Sequence, residues 1–237
     1  MPPTEEMPTT SPPMETLSAD MMWVSTGAWG CSMRADRVIA GITGIAGVLG
    51  AVGSQVGAAS ADRTFASTSG IAQSLISIGV PFIGAVAGAR RGPARSVFGP
   101  AMAYAVGLAA VGLVASVLVA WLVPSTASDP WQHAPVIVIG AFVTQIVAQL
   151  VGTGLGLLIG RAWIAAILTI VLPLALYGVL SAAAPDARPW LTPYGSARLW
   201  WSGDFGGSDW LPFLVMLALW GLALNLAGLY VARPRQA

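Results

Sequence analysis

The most polar side chains within the long apolar stretches of this 237-residue chain are five amides: Gln55, Gln73, Gln145, Gln149 and Asn225. An amide donates and accepts hydrogen bonds but does not titrate, so it can orient a ligand or join two helices without transferring a proton. In apolar surroundings, amides commonly hydrogen-bond from one helix to another. The five residues are therefore candidates either to line a pathway or to pack helices.

Two of these amides begin a stripe that continues in glycine. Gln145, Gln149, Gly152, Gly156 and Gly160 recur every three or four residues, a spacing that places them on one face of a helix. Small residues allow helix backbones to approach closely. A packing seam fits this stripe, and so does a face turned toward a substrate or a second subunit.

The residues that this chain lacks exclude several chemistries. It contains no lysine, whereas a phosphate-binding loop of the Walker type requires one after its glycines. Six apolar stretches contain no Asp, Glu, Lys, Arg or His, and proton relays through a membrane use such residues. The one histidine, His133, lies outside these stretches, and the chain has no zinc-protease signature. We expect no enzyme activity, no cofactor and no metal in this chain.

The six apolar stretches must position the amides and glycines. Charged residues make up 9% of the chain, compared with roughly 25% in soluble domains. About 20 apolar residues cross the hydrocarbon core of a bilayer as a helix. The net charge of +1 gives no indication of a nucleic-acid partner. We therefore expect an all-α integral membrane protein with spans near residues 38–58, 71–89, 97–123, 134–160, 162–184 and 211–232.

The segments that flank the six-helix domain, residues 38–233, have different compositions. Residues 1–20 are rich in Pro, Thr and acidic residues, which favours a disordered cytoplasmic leader over a signal peptide. Residues 21–37 mix tryptophan with Ser, Gly and Arg, a composition typical of an amphipathic helix in the membrane interface. Residues 234–237 form a short cytoplasmic tail.

The arginines predict the orientation, because basic residues in short loops favour the cytoplasmic side. With the N-terminus inside, eight arginines are cytoplasmic, and only Arg63, Arg188 and Arg198 are external. Nine tryptophans lie at or beyond span ends, where indole rings anchor, and Trp220 alone lies in mid-span. Basic charge carried only by arginine, with abundant Ala and Gly, indicates a bacterial protein. We expect a multi-pass protein of the bacterial cytoplasmic membrane with both termini inside.

Two connecting segments stand out. The external segment at residues 185–210 is unusually aromatic, which predicts short re-entrant helices in the outer leaflet; a simple interfacial belt is the alternative. The basic loop between the second and third spans either fixes orientation or docks a soluble partner. The candidate residues are Trp190, Tyr194, Trp200, Trp201 and Phe205 for the re-entrant segment, and Arg90, Arg91 and Arg95 for the basic loop.

In its layout the chain resembles the membrane permease subunit of type-2 ABC exporters, which move antibiotics, bacteriocins and lipids outward. Four features carry the resemblance: the interfacial segment MMWVSTGAWGCSMRADR, six spans with both termini inside, the hairpin GTGLGLLIGRAWIAAILTIVLP and the outer segment PWLTPYGSARLWWSGDF. The resemblance covers about residues 21–233. It depends on order and topology, since none of these motifs is catalytic.

The resemblance implies half of a dimeric pathway, completed by a second permease copy or a paralogue, for a hydrophobic or amphipathic substrate such as a drug, peptide antibiotic or lipid. It implies a separate ATP-binding-cassette subunit that holds ATP and Mg²⁺. It also places Arg90, Arg91 and Arg95 in the coupling element. This chain departs from the family pattern there, because Arg90 directly follows Ala89, where members usually carry an acidic residue and a longer segment.

Two other functions remain open from the sequence. The polar stripes could only pack helices, which would make the chain a non-transporting scaffold or accessory protein in contact with membrane lipid. A channel or a transporter independent of nucleotide is the third possibility.

Overall fold

The computed structural model describes residues 16–233, with side chains described from residue 35 onward. The chain divides into two units, Met1–Arg37 and Val38–Ala237, and helix α1 (Thr16–Gly53) contains residues of both. Most of the predicted leader, the C-terminal tail and nearly all side chains of the predicted interfacial helix lie outside the described residues. These three expectations stay predictions.

The described part of the second unit is helical and contains no strand. Eight helices follow α1: α2 (Phe65–Ala89), α3 (Ala94–Leu122), α4 (Ala134–Ile159), α5 (Ala162–Ala183), α6 (Arg188–Leu191), α7 (Pro193–Ser202), α8 (Trp210–Met216) and α9 (Leu224–Ala232). A π-helical segment, Leu217–Ala223, joins α8 to α9. Together with the 3₁₀ turn Gly207–Asp209, these last elements make one long helix.

Within residues 16–233, six helical segments of 19 to 29 residues are long and apolar enough to cross a membrane. At 1.5 Å per residue the shortest is about 28 Å long, close to the roughly 30 Å of a bilayer's hydrocarbon core. The prediction of an all-helical fold with six helices able to cross a membrane is confirmed for the described residues.

Two predicted boundaries were wrong. Helix α1 ends at Gly53, and Gly57 has a φ of +77°, so Gln55 lies in a turn and not in the first span. Helix α2 begins at Phe65, six residues earlier than predicted. Its N-cap, Thr64, accepts a hydrogen bond from the N–H of Ser67, whose hydroxyl accepts one from the N–H of Thr64. This reciprocal capping starts α2 among Ser and Thr residues, which are too polar to be recognised in the sequence as part of a membrane span.

Helix α4 is the centre of the bundle and packs against α2, α3, α5, α7 and the last long helix. Its closest seam is with α2. A Cβ at Gly152 or Gly156 would overlap the main chain of α2, and a Cβ at Gly84 or Gly88 would overlap that of α4. Both helices thus carry two glycines four residues apart, the spacing that lets backbones touch. The pair on α2 was missed, although GAVAG in the sequence carries the same signal.

Gly160 ends α4, so it does not extend the predicted stripe of Gln145, Gln149, Gly152 and Gly156 along that helix. Its φ is +69°, and its N–H donates to the carbonyl of Gly156 over 2.8 Å. Only Arg161 separates it from α5, and the guanidinium of Arg91 lies beside it. The left-handed conformation, which favours glycine, lets α4 and α5 form a tight antiparallel hairpin, as the spans predicted at residues 134–160 and 162–184 require.

The bundle has two chemically different ends. At one end, which we call the aromatic end, Phe65 stacks on Trp131 at 5.2 Å between ring centres, and His133 lies beside Gly203. This end contains α6 and α7. The opposite, basic end contains the α2–α3 loop and the α4–α5 hairpin, with the arginines Arg90, Arg91, Arg95 and Arg161.

Because of the α2–α4 seam, we expect an added methyl group to destabilise the bundle at Gly156 but not at Gly107. Gly156→Ala should destabilise the bundle by about 1–3 kcal/mol, the usual cost of overpacking, because the new methyl meets main chain that cannot rotate away. Gly107→Ala on α3 is the matched control, since a Cβ there has no neighbour within 4 Å. Thermal unfolding in mild detergent measures both, and equal melting temperatures for the two variants would contradict the seam.

Candidate functional site

Gln73 and Gln145 are fully buried and join three spans. The Nε2 of Gln145 on α4 donates to the main-chain oxygen and to the Oε1 of Gln73 on α2, over 3.0 Å each. The Nε2 of Gln73 in turn donates to the carbonyl of Ala109 on α3 over 3.1 Å. These amides form a relay from α4 through α2 to α3.

Gln149 enters the main-chain hydrogen-bond ladder of α2. In the amide orientation that its neighbours require, its nitrogen donates to the carbonyl of Val80 over 2.7 Å, and its oxygen accepts from the N–H of Gly84 over 3.0 Å. Val80 and Gly84 are four residues apart, so these two groups would pair with each other in an undisturbed helix. Gln149 therefore bridges α2 at a point next to Pro81.

The two remaining amides also bond protein groups. The Nδ2 of Asn225 donates to the carbonyls of Leu150 on α4, at 2.9 Å, and Gly221 in the π-helical segment, at 2.6 Å. The Nε2 of Gln55 donates to the hydroxyl of Thr68 over 2.7 Å. Of the two roles open from the sequence, these placements favour helix packing. None of the five amides lines the cavity described next.

A cavity of about 300 Å³ lies between α2, α4, α5, α7 and α8. Its walls are mostly apolar and aromatic, and among the described residues no charged side chain lines it. Five hydroxyls line it: Ser74, Ser77, Thr144, Thr169 and Ser196. Of these five, the sequence singles out Ser77, which shares a helix face with Gln73 and lies four residues before Pro81; the other hydroxyls give no distinctive pattern in apolar helices.

Two prolines place main-chain acceptors beside the cavity. Pro81 in α2 and Pro173 in α5 both line it. A proline has no N–H, so the carbonyl four residues earlier loses its helical partner. Those carbonyls belong to Ser77 and Thr169, which are also in the cavity wall.

The cavity offers few hydrogen-bond donors. Each of the five hydroxyls donates to a carbonyl of its own helix or of a neighbouring segment, at 2.6 to 3.3 Å. They therefore present lone pairs to an occupant. The other donors in the wall are the phenol of Tyr194 and the indoles of Trp200 and Trp201.

The two indoles differ in their partners. The Nε1 of Trp201 donates to the hydroxyl of Thr144 over 3.1 Å. Trp200 is only 4% exposed, and its buried Nε1 has no hydrogen-bond partner within the described part of the chain. Buried indole N–H groups usually find an acceptor, so Trp200 is the buried side-chain donor of this wall that lacks a partner among the described residues.

Trp200 belongs to an aromatic cluster, whose other members are Phe205, Trp210 and Phe213. Trp200 stacks on Phe205 with 3.8 Å between ring centres, and its contacts with Trp210 and Phe213 are edge-to-face. A Cβ at Gly140 on α4 would meet its indole. Of these four rings, Trp200 and Phe213 line the cavity.

The segment between α5 and α8 contacts the spans well below their ends. Thr144, the partner of Trp201, is the eleventh residue of α4, about 15 Å along the helix from its start. Trp220, the mid-span tryptophan, donates its Nε1 to the carbonyl of Leu191 in α6 over 2.9 Å. Of the other candidates in this segment, Trp190 and Tyr194 are 36% exposed.

A polar cluster of Tyr177, Arg188 and Arg198 lies next to the cavity, with the ring of Tyr194 between them. The phenol oxygen of Tyr177 on α5 accepts from Nη1 of Arg198 over 3.2 Å. The Cζ of Arg188 lies 5.7 Å from the centre of the Tyr177 ring. Within the described residues, neither arginine forms an ion pair with a carboxylate. Tyr194, a cavity residue, packs edge-on against Tyr177 at 4.9 Å between ring centres.

No family model, curated protein or solved structure matches this chain.

The arginines of the basic loop lie at the other end of the bundle. Arg90 follows α2, Arg91 has a φ of +49°, and Arg95 lies in the first turn of α3. All three are exposed. Through Arg91 the loop contacts the α4–α5 hairpin at Gly160.

The bond between Trp201 and Thr144 predicts coupled stabilities. Trp201→Phe and Thr144→Val should each destabilise the bundle, and the double variant should fall short of their sum by about 0.5–1.5 kcal/mol, the net value of one hydrogen bond. Trp163→Phe is the control, because Trp163 is 68% exposed. Thermal unfolding of the four proteins gives the coupling, and strictly additive effects would disprove the bond.

Proposed function

We propose that this chain is the membrane subunit of an ATP-driven exporter and forms half of a dimeric translocation pathway. The observation that carries the proposal is the mostly apolar cavity of about 300 Å³ lined by α2, α4, α5, the start of the last long helix and the aromatic segment. Its volume lies at the lower end of the roughly 300–1,000 Å³ of ligand pockets.

The lining favours a hydrophobic or amphipathic substrate. A charged group inside would lose its hydration without gaining a counter-ion, because no described charged side chain lines the cavity. Apolar walls with scattered hydroxyl oxygens suit a drug, a peptide antibiotic or a lipid.

The energy for export comes, in this proposal, from a separate ATP-binding-cassette subunit that holds ATP and Mg²⁺. The apolar stretches carry no titratable acid or base for proton coupling, and the chain has no lysine for a Walker loop. A second permease copy or paralogue completes the pathway.

The proposal includes an orientation in the bacterial cytoplasmic membrane. The basic end faces the cytoplasm, in keeping with the preference of arginine-rich loops. Helices α6 and α7 then form the outer re-entrant segment. The contacts of Trp201 with Thr144 and of Trp220 with Leu191 support this depth.

Coupling would act through the basic end. Because Arg91 lies beside Gly160, a subunit that presses on the α2–α3 loop also presses on the α4–α5 hairpin. Of the helices joined there, α2, α4 and α5 continue into the cavity wall. Closure of the partner would therefore move three walls of the cavity together.

A scaffold or accessory function is the second candidate. The observation that favours it is the placement of all five amides in hydrogen bonds between or beside helices. The partner decides between the two functions, since a scaffold needs no ATPase.

Purification of the full chain in mild detergent tests the exporter proposal. We expect an ATP-binding-cassette subunit to accompany it, and the reconstituted complex to move an amphiphile only with ATP. Transport in liposomes by the chain alone without nucleotide would refute the proposal. Recovery without any ATPase would favour the scaffold.

Loss of positive charge at the basic end should weaken partner docking. We expect Arg91→Ala combined with Arg95→Ala to lower co-purification of the ATPase at least several-fold, because both side chains are exposed there. Arg63→Ala at the aromatic end is the control and should have no effect. Normal assembly and ATP turnover in the double variant would exclude this loop from coupling.

A further inference from the structure

We propose that the cavity and the pair Arg188 and Arg198 form one binding site for a phospholipid, with the phosphate at the two arginines and an acyl chain in the cavity. The claim that this lipid is the substrate of an exporter rests on the function proposed above. Binding itself is a property of this chain and is measured without a partner.

The arginine pair is suited to a phosphate. Both guanidinium groups contact the same residue, Tyr177, one at the phenol oxygen and one at the ring. The Nε of Arg188 donates to the carbonyl of Pro185 over 2.9 Å. Neither arginine pairs with a carboxylate within the described residues, so two positive charges beside one tyrosine lack a protein counter-ion. Guanidinium forks match the oxygens of a phosphate, and a phosphate between them would relieve their repulsion.

The two parts of the site are physically continuous. Tyr194 lines the cavity and also packs against Tyr177. In α7, Ser196 and Ala197 line the cavity, and Arg198 follows them directly. One molecule with a charged head and an apolar tail therefore spans both parts, whereas a free anion reaches only the arginines.

Trp200 gives a further, independent reason for a lipid ester. Its indole belongs to the cavity wall, is 4% exposed, and its N–H lacks an acceptor within the described chain. Leaving a buried donor unpaired costs free energy. The indole nitrogen has almost no accessible surface, so the ester carbonyl between head and tail supplies the missing acceptor once the Trp200 ring turns toward the cavity.

The occupant is a phospholipid rather than a neutral amphiphile because of charge complementarity. The cavity itself takes only an uncharged group, and the unpaired positive charge lies outside it at the aromatic end. The cavity volume, about 300 Å³, accommodates part of an acyl chain and leaves the rest in the bilayer.

The test compares lipids that differ in one group. The full chain in mild detergent is titrated with dioleoyl phosphatidic acid, with dioleoylglycerol and with inorganic phosphate, and binding is read by native mass spectrometry. We expect phosphatidic acid to bind at least tenfold more tightly than dioleoylglycerol, and millimolar inorganic phosphate to leave its binding unchanged. Equal affinity for the two lipids, or displacement by inorganic phosphate, overturns the proposal.

Variants assign the two ends of the lipid. Arg188→Gln combined with Arg198→Gln should abolish the preference for phosphatidic acid, while Arg63→Gln, also at the aromatic end, should preserve it. Trp200→Phe should weaken binding of the ester lipid several-fold but leave an ether-linked phosphatidic acid unaffected. Circular dichroism and elution volume verify that each variant is folded. Retention of the headgroup preference in the double arginine variant overturns the assignment of the phosphate.

The binding and transport experiments separate the two proposals. If phosphatidic acid binds as expected but no ATPase accompanies the chain, the lipid site holds and the exporter proposal fails. If ATP-dependent export of another amphiphile occurs without lipid binding, the exporter proposal holds and the lipid site fails.

Discussion

Main-chain contact between α2 and α4 is the interaction on which the rest of this bundle depends. In a bilayer the lipid tails are as apolar as leucine, so spans gain little by burying apolar surface against each other. Close packing and hydrogen bonds must hold them instead. Glycines on both helices allow contact close enough for Gln149 to reach the backbone of α2.

The central position of α4 has a consequence for every other span. Its amides hydrogen-bond to α2, and Leu150 accepts from Asn225 on the last helix. Gly140 makes room for the indole of Trp200, and Thr144 accepts from Trp201. One helix thus provides the seam, the polar relay and a wall of the cavity.

The cavity follows from residues that interrupt close packing. Pro81 and Pro173 each disrupt the hydrogen-bond ladder of a helix, and both lie in the cavity wall. The hydroxyl groups around them donate to carbonyls, so the interior offers mainly acceptors. Positive charge is kept outside, at Arg188 and Arg198, because burial of an unpaired guanidinium in an apolar space is costly. The separation of apolar space from charge favours a ligand with two chemically different ends.

The sequence by itself determined an all-helical fold with six helices able to cross a membrane, because long charge-free stretches have one stable arrangement in lipid, with every backbone group paired inside a helix. It also indicated the glycine stripe of α4, the tight α4–α5 hairpin and the short helices between α5 and α8. It did not predict that α1 ends at Gly53 and that α2 begins at Phe65, because the polar residues that cap a helix resemble loop residues in composition.

Only the tertiary structure decided which polar residues face a cavity and which face another helix. Gln145 and Ser77 both read as polar residues on apolar spans, yet Gln145 bonds to Gln73 and Ser77 lines the cavity. Likewise, Arg188 and Arg198 read as two separate external charges until Tyr177 brings them together. Helical periodicity fixes the direction of a side chain about its own axis, but the neighbour it meets depends on how five other spans pack around it.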